Sequence, residues 1–222
     1  MNFRAICFDL DGTLLDTLAD IADSANRVLA GHGYPTHPID AYRNFIGDGL
    51  VRLFGRVLPA DRRGEEVIAE CVAGFRESYA ENWNVRTRRY DGVAELLDAA
   101  TARGLKMAIL SNKPDAFTRR CVDAHLSAWD FRAVLGQREG VPPKPDPAGA
   151  REIVDRLEVA AEHFLYLGDT PTDMRTARTA GMHPVGVSWG FRPVDELRAA
   201  GAARIIARPL ELMDLVDGAS SS

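Results

Sequence analysis

Short, mostly apolar runs recur along this chain, at Phe3 to Phe8, Leu105 to Leu110 (LKMAIL), Phe131 to Leu135 (FRAVL), Phe164 to Leu167 (FLYL), Pro184 to Val187 (PVGV) and, more weakly, Arg204 to Ala207 (RIIA). A strand with one wet face alternates polar and apolar residues. Runs this short, apolar on consecutive positions, suit strands covered on both faces, and that is the habit of a parallel sheet. Helical spacing fills the intervals, as in Val93 to Ala100 (VAELLDAA) and Ala148 to Leu157, with Gly104 standing where the first of these should stop. Strand and helix in alternation predict an α/β fold built on a doubly wound parallel sheet.

One block departs from the alternation. From about Leu15 to Trp83 the sequence has no strand pattern, only helical ones such as Leu18, Ile21, Ala22, Ala25, Val28 and Leu29, then Val67, Ile68, Cys71, Val72 and Phe75. This predicts a helical subdomain over residues 16–83, inserted into a core made of residues 1–15 and 84–222. No internal repeat is present, and the tail Gly218 to Ser222 reads as frayed.

Composition narrows the class. A chain of 222 residues, 46% hydrophobic and 27% charged, can bury a substantial core and is neither a disordered chain nor a membrane protein. With 27 Lys+Arg against 32 Asp+Glu the net charge is -5, which offers no broad basic face for nucleic acid, and the run Arg86-Thr87-Arg88-Arg89 reads as a solvated patch. Cys7, Cys71 and Cys121 are odd in number and far apart, a pattern of reduced thiols. Asp9 follows Met1 too soon for a secretion signal, and no apolar run approaches the ~20 residues of a membrane span. A cytoplasmic protein is expected, with no membrane partner.

The polar residues gather at the expected strand ends. Asp9 and Asp11 of FDLDGTL follow the first strand, although aspartate is among the poorest strand formers. Ser111 and Asn112 follow the second, Lys144 lies in the loop PPKPDP after the third, and Gly168 to Asp173 (GDTPTD) follow the fourth. Taken singly, Asp16 or Asp173 would read as a helix cap and Gly168-Asp169 as a turn. Taken together they occupy the ends at which open α/β sheets bind ligands. Several carboxylates, one lysine and a hydroxyl describe a site for a phosphate and a hard divalent cation such as Mg²⁺.

In this order FDLDGTLLDT, LSNKP, Lys144 in its proline-rich loop and GDTPTDM closely resemble the four motifs of the haloacid dehalogenase-like hydrolase superfamily. The resemblance implies a Rossmann-like doubly wound parallel sheet with an inserted, mobile helical cap, and a Mg²⁺-dependent phosphatase working through an aspartyl-phosphate. It makes Asp9 the nucleophile and Asp11 the general acid and base. It gives the metal to Asp9, Asp169 and the backbone carbonyl of Asp11, with Asp173 as a ligand or behind the ligands. Lys144, Ser111 and Asn112 then hold the phosphoryl oxygens. Gly12 supplies a sharp turn and Thr13 a local hydroxyl. An acid at position 11 favours phosphoryl transfer over carbon-halogen cleavage, because halide departs without a proton.

Three further stretches, Arg43 to Leu50 (RNFIGDGL), Ser111 to Pro114 (SNKP) and Val187 to Phe191 (VSWGF), resemble the phosphoglycolate phosphatase subgroup. On that likeness the substrate is a small-molecule phosphate ester, 2-phosphoglycolate first, with the glycine-rich loop at Gly47 closing over it and Arg43 pairing with its carboxylate. The alternatives are a phosphosugar mutase using the same two aspartates, a phosphatase for sugar phosphates, nucleotides or pyrophosphate, and a non-catalytic phospho-accepting domain. His32, His37, His125, His163 and His183 have no metal-like spacing, Trp83 reads as hinge packing, and Met107 and Met174 read as core.

Overall fold

The computed structural model describes residues 2–218. Ala219 to Ser222, most of the tail read above as frayed, lie outside the described residues. In chain order the elements are β1 (Ala5–Phe8), β2 (Leu15–Asp16), α1 (Leu18–Gly31), α2 (Leu50–Val57), α3 (Glu65–Asn82), β3 (Arg88–Arg89), α4 (Val93–Ala102), β4 (Lys106–Pro114), α5 (Asp115–His125) and β5 (Phe131–Gln137). They continue with α6 (Ala148–Leu157), β6 (Phe164–Gly168), α7 (Pro171–Ala180), β7 (His183–Val187), α8 (Val194–Ala199), β8 (Arg204–Ile206) and α9 (Glu211–Gly218), and short 3₁₀ turns lie between some of them.

Every run read as a strand is one. They form a six-stranded sheet in the order β5-β4-β1-β6-β7-β8, with all pairs parallel. Successive side chains divide between two cores. Ile6, Phe8, Met107, Ile109, Leu165 and Leu167 face the layer of α4, α5 and α9, while Ala5, Cys7, Ala108, Leu110, Phe164 and Tyr166 face α6 and α7. Both faces are dry, which is why the runs are continuously apolar. Helix α4 ends at Ala102, and Gly104 takes a left-handed φ of +67° beyond it. With the short pair β2 and β3 set aside, the strand order is that of a doubly wound Rossmann sheet, whose order reverses between β1 and β6. A crevice opens there at the carboxyl ends of the strands.

Helices α1, α2 and α3 enclose a third apolar cluster, built from Leu29, Tyr42, Phe54, Cys71, Phe75 and Tyr79 among others, which Phe117 and Phe191 join from the sheet side. The chain leaves the sheet for these helices and returns at one place, where β2 and β3 pair antiparallel, Leu15 opposite Arg89 and Asp16 opposite Arg88. Two expectations are corrected here. Leu15 and Asp16 form a strand at the edge of the block read as strand-free, and within the run Arg86 to Arg89, whose three arginines are exposed as read, Thr87 is not solvated. Arg86 pairs with Asp23, Arg88 pairs with Asp16 at 3.2 Å, and Thr87 is buried. The cause is Asp20 of α1, whose buried carboxylate accepts the backbone N–H groups of Val85, Arg86 and Thr87 at 2.8–3.0 Å and the Thr87 hydroxyl at 2.8 Å. Trp83 packs against both the sheet core and the helical cluster, as its hinge reading anticipated. Cys7, Cys71 and Cys121 are buried free thiols, and among the described residues no helix is long and apolar enough to cross a membrane.

Replacing the Asp20 carboxylate would strand two buried donors, the Thr87 N–H and hydroxyl, each costing ~1–3 kcal/mol, and would free the part-buried amides of Val85 and Arg86. Asp20→Ala is therefore expected to lower the free energy of unfolding by about 3 kcal/mol or more in urea titrations. A loss below about 1 kcal/mol would mean that water satisfies the returning strand equally well.

Candidate active site

The crevice between β1 and β6 collects the acids. Asp9 follows β1, its backbone N–H donating to the Leu167 carbonyl at 2.8 Å. The chain then turns at Gly12, whose φ is +91° and whose missing side chain matters, since a Cβ there would lie 2.2 Å from Oδ2 of Asp169. This close approach lets the turn grip the end of β6. Thr13, expected to bond locally, donates its hydroxyl across the sheet to Asp169 Oδ1 at 3.2 Å, and the Phe191 N–H donates to Asp169 Oδ2 at 2.7 Å.

Asp173 stands on the first turn of α7 in a capping box, accepting the Thr170 N–H at 3.1 Å and its hydroxyl at 2.6 Å. The helix cap itself is Thr170, and Asp173, read from the sequence as the cap, is instead its partner at the third helical position; the carboxylate has a further partner as well. Lys144 Nζ lies 2.7 Å from Asp173 Oδ1, 2.7 Å from Asp9 Oδ1 and 3.0 Å from the Leu110 carbonyl. Its loop is pinned by Asn112, whose Oδ1 accepts the Lys144 N–H at 2.8 Å and whose Nδ2 donates to the carbonyls of Lys144 and Gly47, each at 3.0 Å. Ser111 and Asn112 belong to β4, which runs through to Pro114 rather than ending at Leu110.

Asp9, Asp169 and Asp173 are all buried and each brings one carboxylate oxygen within 4.8 Å of the other two. Three acids face one ammonium, and the imbalance shows in their proton affinities. Burial, then the charges of Asp173 and Asp11, push the Asp9 carboxyl up to about 7 although Lys144 opposes them. Burial and the charges of Asp9 and Asp173 hold Asp169 well above the carboxylate range. Burial alone would depress Lys144, but Asp173 and Asp9 keep it firmly protonated. A buried excess of hard anionic oxygens is what a divalent cation satisfies, so the donor set fits one.

Asp11 faces elsewhere. Its carboxylate accepts the Thr17 hydroxyl at 2.7 Å and the Lys113 ammonium at 2.9 Å, and Lys113 also donates to the Tyr79 hydroxyl at 2.8 Å. Above these groups a cavity of about 50 Å³ separates the strand ends from the helical block. Asp9, Asp11, Ser111, Asn112 and Lys113 line its floor, and Gly47 reaches it from the cap side. Close by, Asp48 accepts the Thr172 hydroxyl at 2.5 Å and pairs with Arg56. Burial works against the Asp48 charge, but these hydrogen bonds hold its carboxyl below the usual range.

The structure thus brings together Asp9, Asp11, Ser111, Asn112, Lys144, Asp169, Asp173 and Gly47. Arg43 is not part of the cavity wall; its guanidinium donates to the Gly190 carbonyl at 3.2 Å and lies 3.6 Å from Asp40. Sequence reasoning passed over Lys113, Thr17, Tyr79, Asp48 and the Phe191 amide. Lys113 and Phe191 lay within stretches already singled out, SNKP and VSWGF. Tyr79 follows Phe75 by one helical turn and carried only the signal of a core residue.

The haloacid dehalogenase-like hydrolase family model matches residues 6–187 of this chain. The phosphoglycolate phosphatase of Nitrosospira multiformis is 31% identical, over 99% of this chain and 98% of that protein. That of Pseudomonas putida is 34% identical, over 86% of this chain and 73% of its own length. A crystal structure of a Lactobacillus delbrueckii subsp. bulgaricus protein, 27% identical, superposes with a TM-score of 0.91 over 97% of this chain and 99% of that one. Fold, strand-end motifs and relatives agree, and the chain belongs to the haloacid dehalogenase-like hydrolase family.

Proposed function

We propose that this enzyme is a Mg²⁺-dependent phosphatase that hydrolyses a small phosphate monoester, 2-phosphoglycolate first among candidates, through an aspartyl-phosphate on Asp9. The observation that carries the reading is the pairing of two carboxylates of different surroundings on one cavity floor. Asp9 is backed by Lys144 and the acidic cluster, and Asp11 is held apart from that cluster by Thr17 and Lys113. Residues 16–83 act as a cap on the core of 1–15 and 84–222, and the cavity lies between them.

In the first step an Asp9 oxygen attacks phosphorus, the bond to the ester oxygen breaks, and Asp11 gives that oxygen a proton. In the second, water attacks the phosphorus of the aspartyl-phosphate, Asp11 takes its proton, and the Asp9 carboxylate leaves with inorganic phosphate as the product. One group serves both steps because they are successive. Lys144, the Ser111 hydroxyl and the Asn112 backbone face the charge that spreads over the phosphoryl oxygens. Asp9, Asp169 and the Asp11 carbonyl, with Asp173 completing the acidic set, would hold Mg²⁺, which would supply the positive charge that lets an anionic nucleophile approach an anionic phosphate.

The names of the relatives from Nitrosospira multiformis and Pseudomonas putida support 2-phosphoglycolate itself. The Gly47 carbonyl, bonded to Asn112, ties the glycine-rich loop to the phosphate end of the site. Arg43, through the Gly190 carbonyl, ties the same loop to the segment that holds Asp169.

Phosphate release from a panel of esters, compared as kcat/KM with Mg²⁺, tests the assignment, and 2-phosphoglycolate should lead sugar phosphates, nucleotides and pyrophosphate. Asp9→Asn should abolish turnover and the phosphoenzyme while circular dichroism stays native; a tenth of the wild-type kcat would rule out Asp9 as nucleophile. Asp11→Asn should lower kcat by ~10² or more for an alkyl ester and by less for p-nitrophenyl phosphate, whose leaving group needs little protonation. Equal losses in the first chemical step would remove Asp11 from the proton-transfer role. EDTA should silence the enzyme and Mg²⁺ restore it, with Asp169→Ala raising the Mg²⁺ required; full activity in EDTA would refute the metal.

A further inference from the structure

We propose that Lys113 and Tyr79 form a subsite for a second anion on the substrate, a carboxylate one carbon removed from the ester oxygen. The inference rests on the phosphatase reading above and names the residues that would select among its substrates.

Lys113 is the one cationic side chain among the described residues lining the cavity. Its side chain is 4% exposed, so its charge is directed inward rather than to solvent. Arg43, the cation that the sequence offered for this task, is committed to Gly190 and Asp40 outside the wall.

Position favours the same assignment. In the proposed reaction an Asp11 oxygen must come within hydrogen-bond reach of the ester oxygen, and Lys113 Nζ stands 2.9 Å from Asp11 Oδ1. A group borne on the carbon next to the ester oxygen therefore falls within reach of the ammonium. There the ammonium stands between the Asp11 side chain and the substrate's carboxylate.

Tyr79 supplies the second donor, beside the ammonium. Its hydroxyl oxygen accepts from Lys113 at 2.8 Å, and its own hydrogen has no acceptor among the described residues, although the side chain is almost fully buried. A buried phenol with an unspent donor, beside a buried ammonium, is a prepared site for an anion. The ammonium also lies 4.6 Å from the centre of the Tyr79 ring, which fixes the two groups relative to each other.

The remaining walls exclude the alternatives. Phe75 and Phe117 pack on the Tyr79 ring, Ile21 and Leu53 also line the cavity, and none of the four offers a side-chain hydrogen-bonding group. A sugar placed there would bury hydroxyls against hydrocarbon at a cost for each one left unbonded. A short acid has its one polar group met by Lys113 and Tyr79.

The test compares 2-phosphoglycolate with 2-hydroxyethyl phosphate, an ester of similar length whose carboxylate is replaced by an alcohol, using wild type, Lys113→Gln, Lys113→Arg and Tyr79→Phe with Mg²⁺. Wild type should favour the carboxylate ester in kcat/KM. Lys113→Gln should reduce that preference about tenfold or more, the scale of a hydrogen bond to a charged group, and Lys113→Arg should keep part of it. Tyr79→Phe, which removes one hydroxyl and touches no group assigned to proton transfer, should raise KM for 2-phosphoglycolate several-fold, with kcat and the neutral ester changed less. Thermal unfolding of each variant reports whether the fold survives. A preference that stays constant while both esters fall together would assign Lys113 to Asp11 alone and overturn the proposal. So would a wild type that hydrolyses the alcohol ester as well as the acid. A wild type inactive on both esters and on p-nitrophenyl phosphate would overturn the phosphatase reading itself, a distinct result.

Discussion

A single buried ammonium organises this site. Lys144 Nζ is enclosed by Asp9 just after β1, Asp173 on the first turn of α7 and the Leu110 carbonyl within β4. An unpaired charge at that depth would be prohibitively costly, so each acid constrains the lysine and the lysine constrains them. Much of the surrounding architecture serves to keep the ammonium in place. Asn112 brackets the Lys144 backbone from both sides, Thr170 orients Asp173 through the capping box, and the Gly12 turn presses against Asp169. The parallel sheet makes this possible because all of its strands end on the same side, which lets residues far apart in sequence meet without strain.

The helical block is joined to that arrangement by polar contacts of the same economy. Asp20 gathers three successive amides where the chain returns to the sheet. Toward the cavity, Asp48 meets Thr172, the Gly47 carbonyl meets Asn112, and Arg192 donates to the Asn44 carbonyl at 3.2 Å. Each partner on the sheet side is in or beside a strand-end motif, so the loop from Asn44 to Gly49 rests on the segments that form the crevice. A block anchored in this way can influence which molecules reach Asp9 without supplying the groups that act on phosphorus. In the proposed reaction the topology divides the labour: the sheet ends hold the chemistry, and the inserted helices form the walls.

The two acids of the opening motif illustrate how neighbours decide chemistry. Asp9 shares its surroundings with two other buried carboxylates and a lysine. Asp11, two residues later, turns toward a hydroxyl, an ammonium and the inserted helices. Residues one apart on an extended segment point to opposite sides, but residues two apart share a side only while the strand continues. Here the strand ends at Phe8 and the turn at Gly12 begins, so the two side chains diverge while both remain on the cavity floor. Separate environments on one floor are what a reaction with a nucleophile and a proton carrier requires.

Much of this was legible in the chain. Continuous apolar runs identified all the strands of the sheet, because a strand dry on both faces leaves no alternation to misread. The acids at Asp9, Asp11, Asp169 and Asp173, with Lys144, stood out because they break those runs at the ends where ligands bind. The Asp9–Lys144–Asp173 constellation needed only the strand order to assemble. Other features had no signal in one dimension. Lys113 and Tyr79 are separated by 34 residues and Lys113 and Asp11 by 102, and each contact depends on how the helical block sits over the sheet. Arg43 looked free to reach a substrate until the Gly190 carbonyl, 147 residues away, claimed its guanidinium. Thr87 looked solvated until Asp20 buried it. Patterns of period and interruption are local and survive in the sequence. The partner of a long polar side chain is chosen by whichever group the tertiary fold brings within about 3 Å, and that choice exists only once the elements have packed.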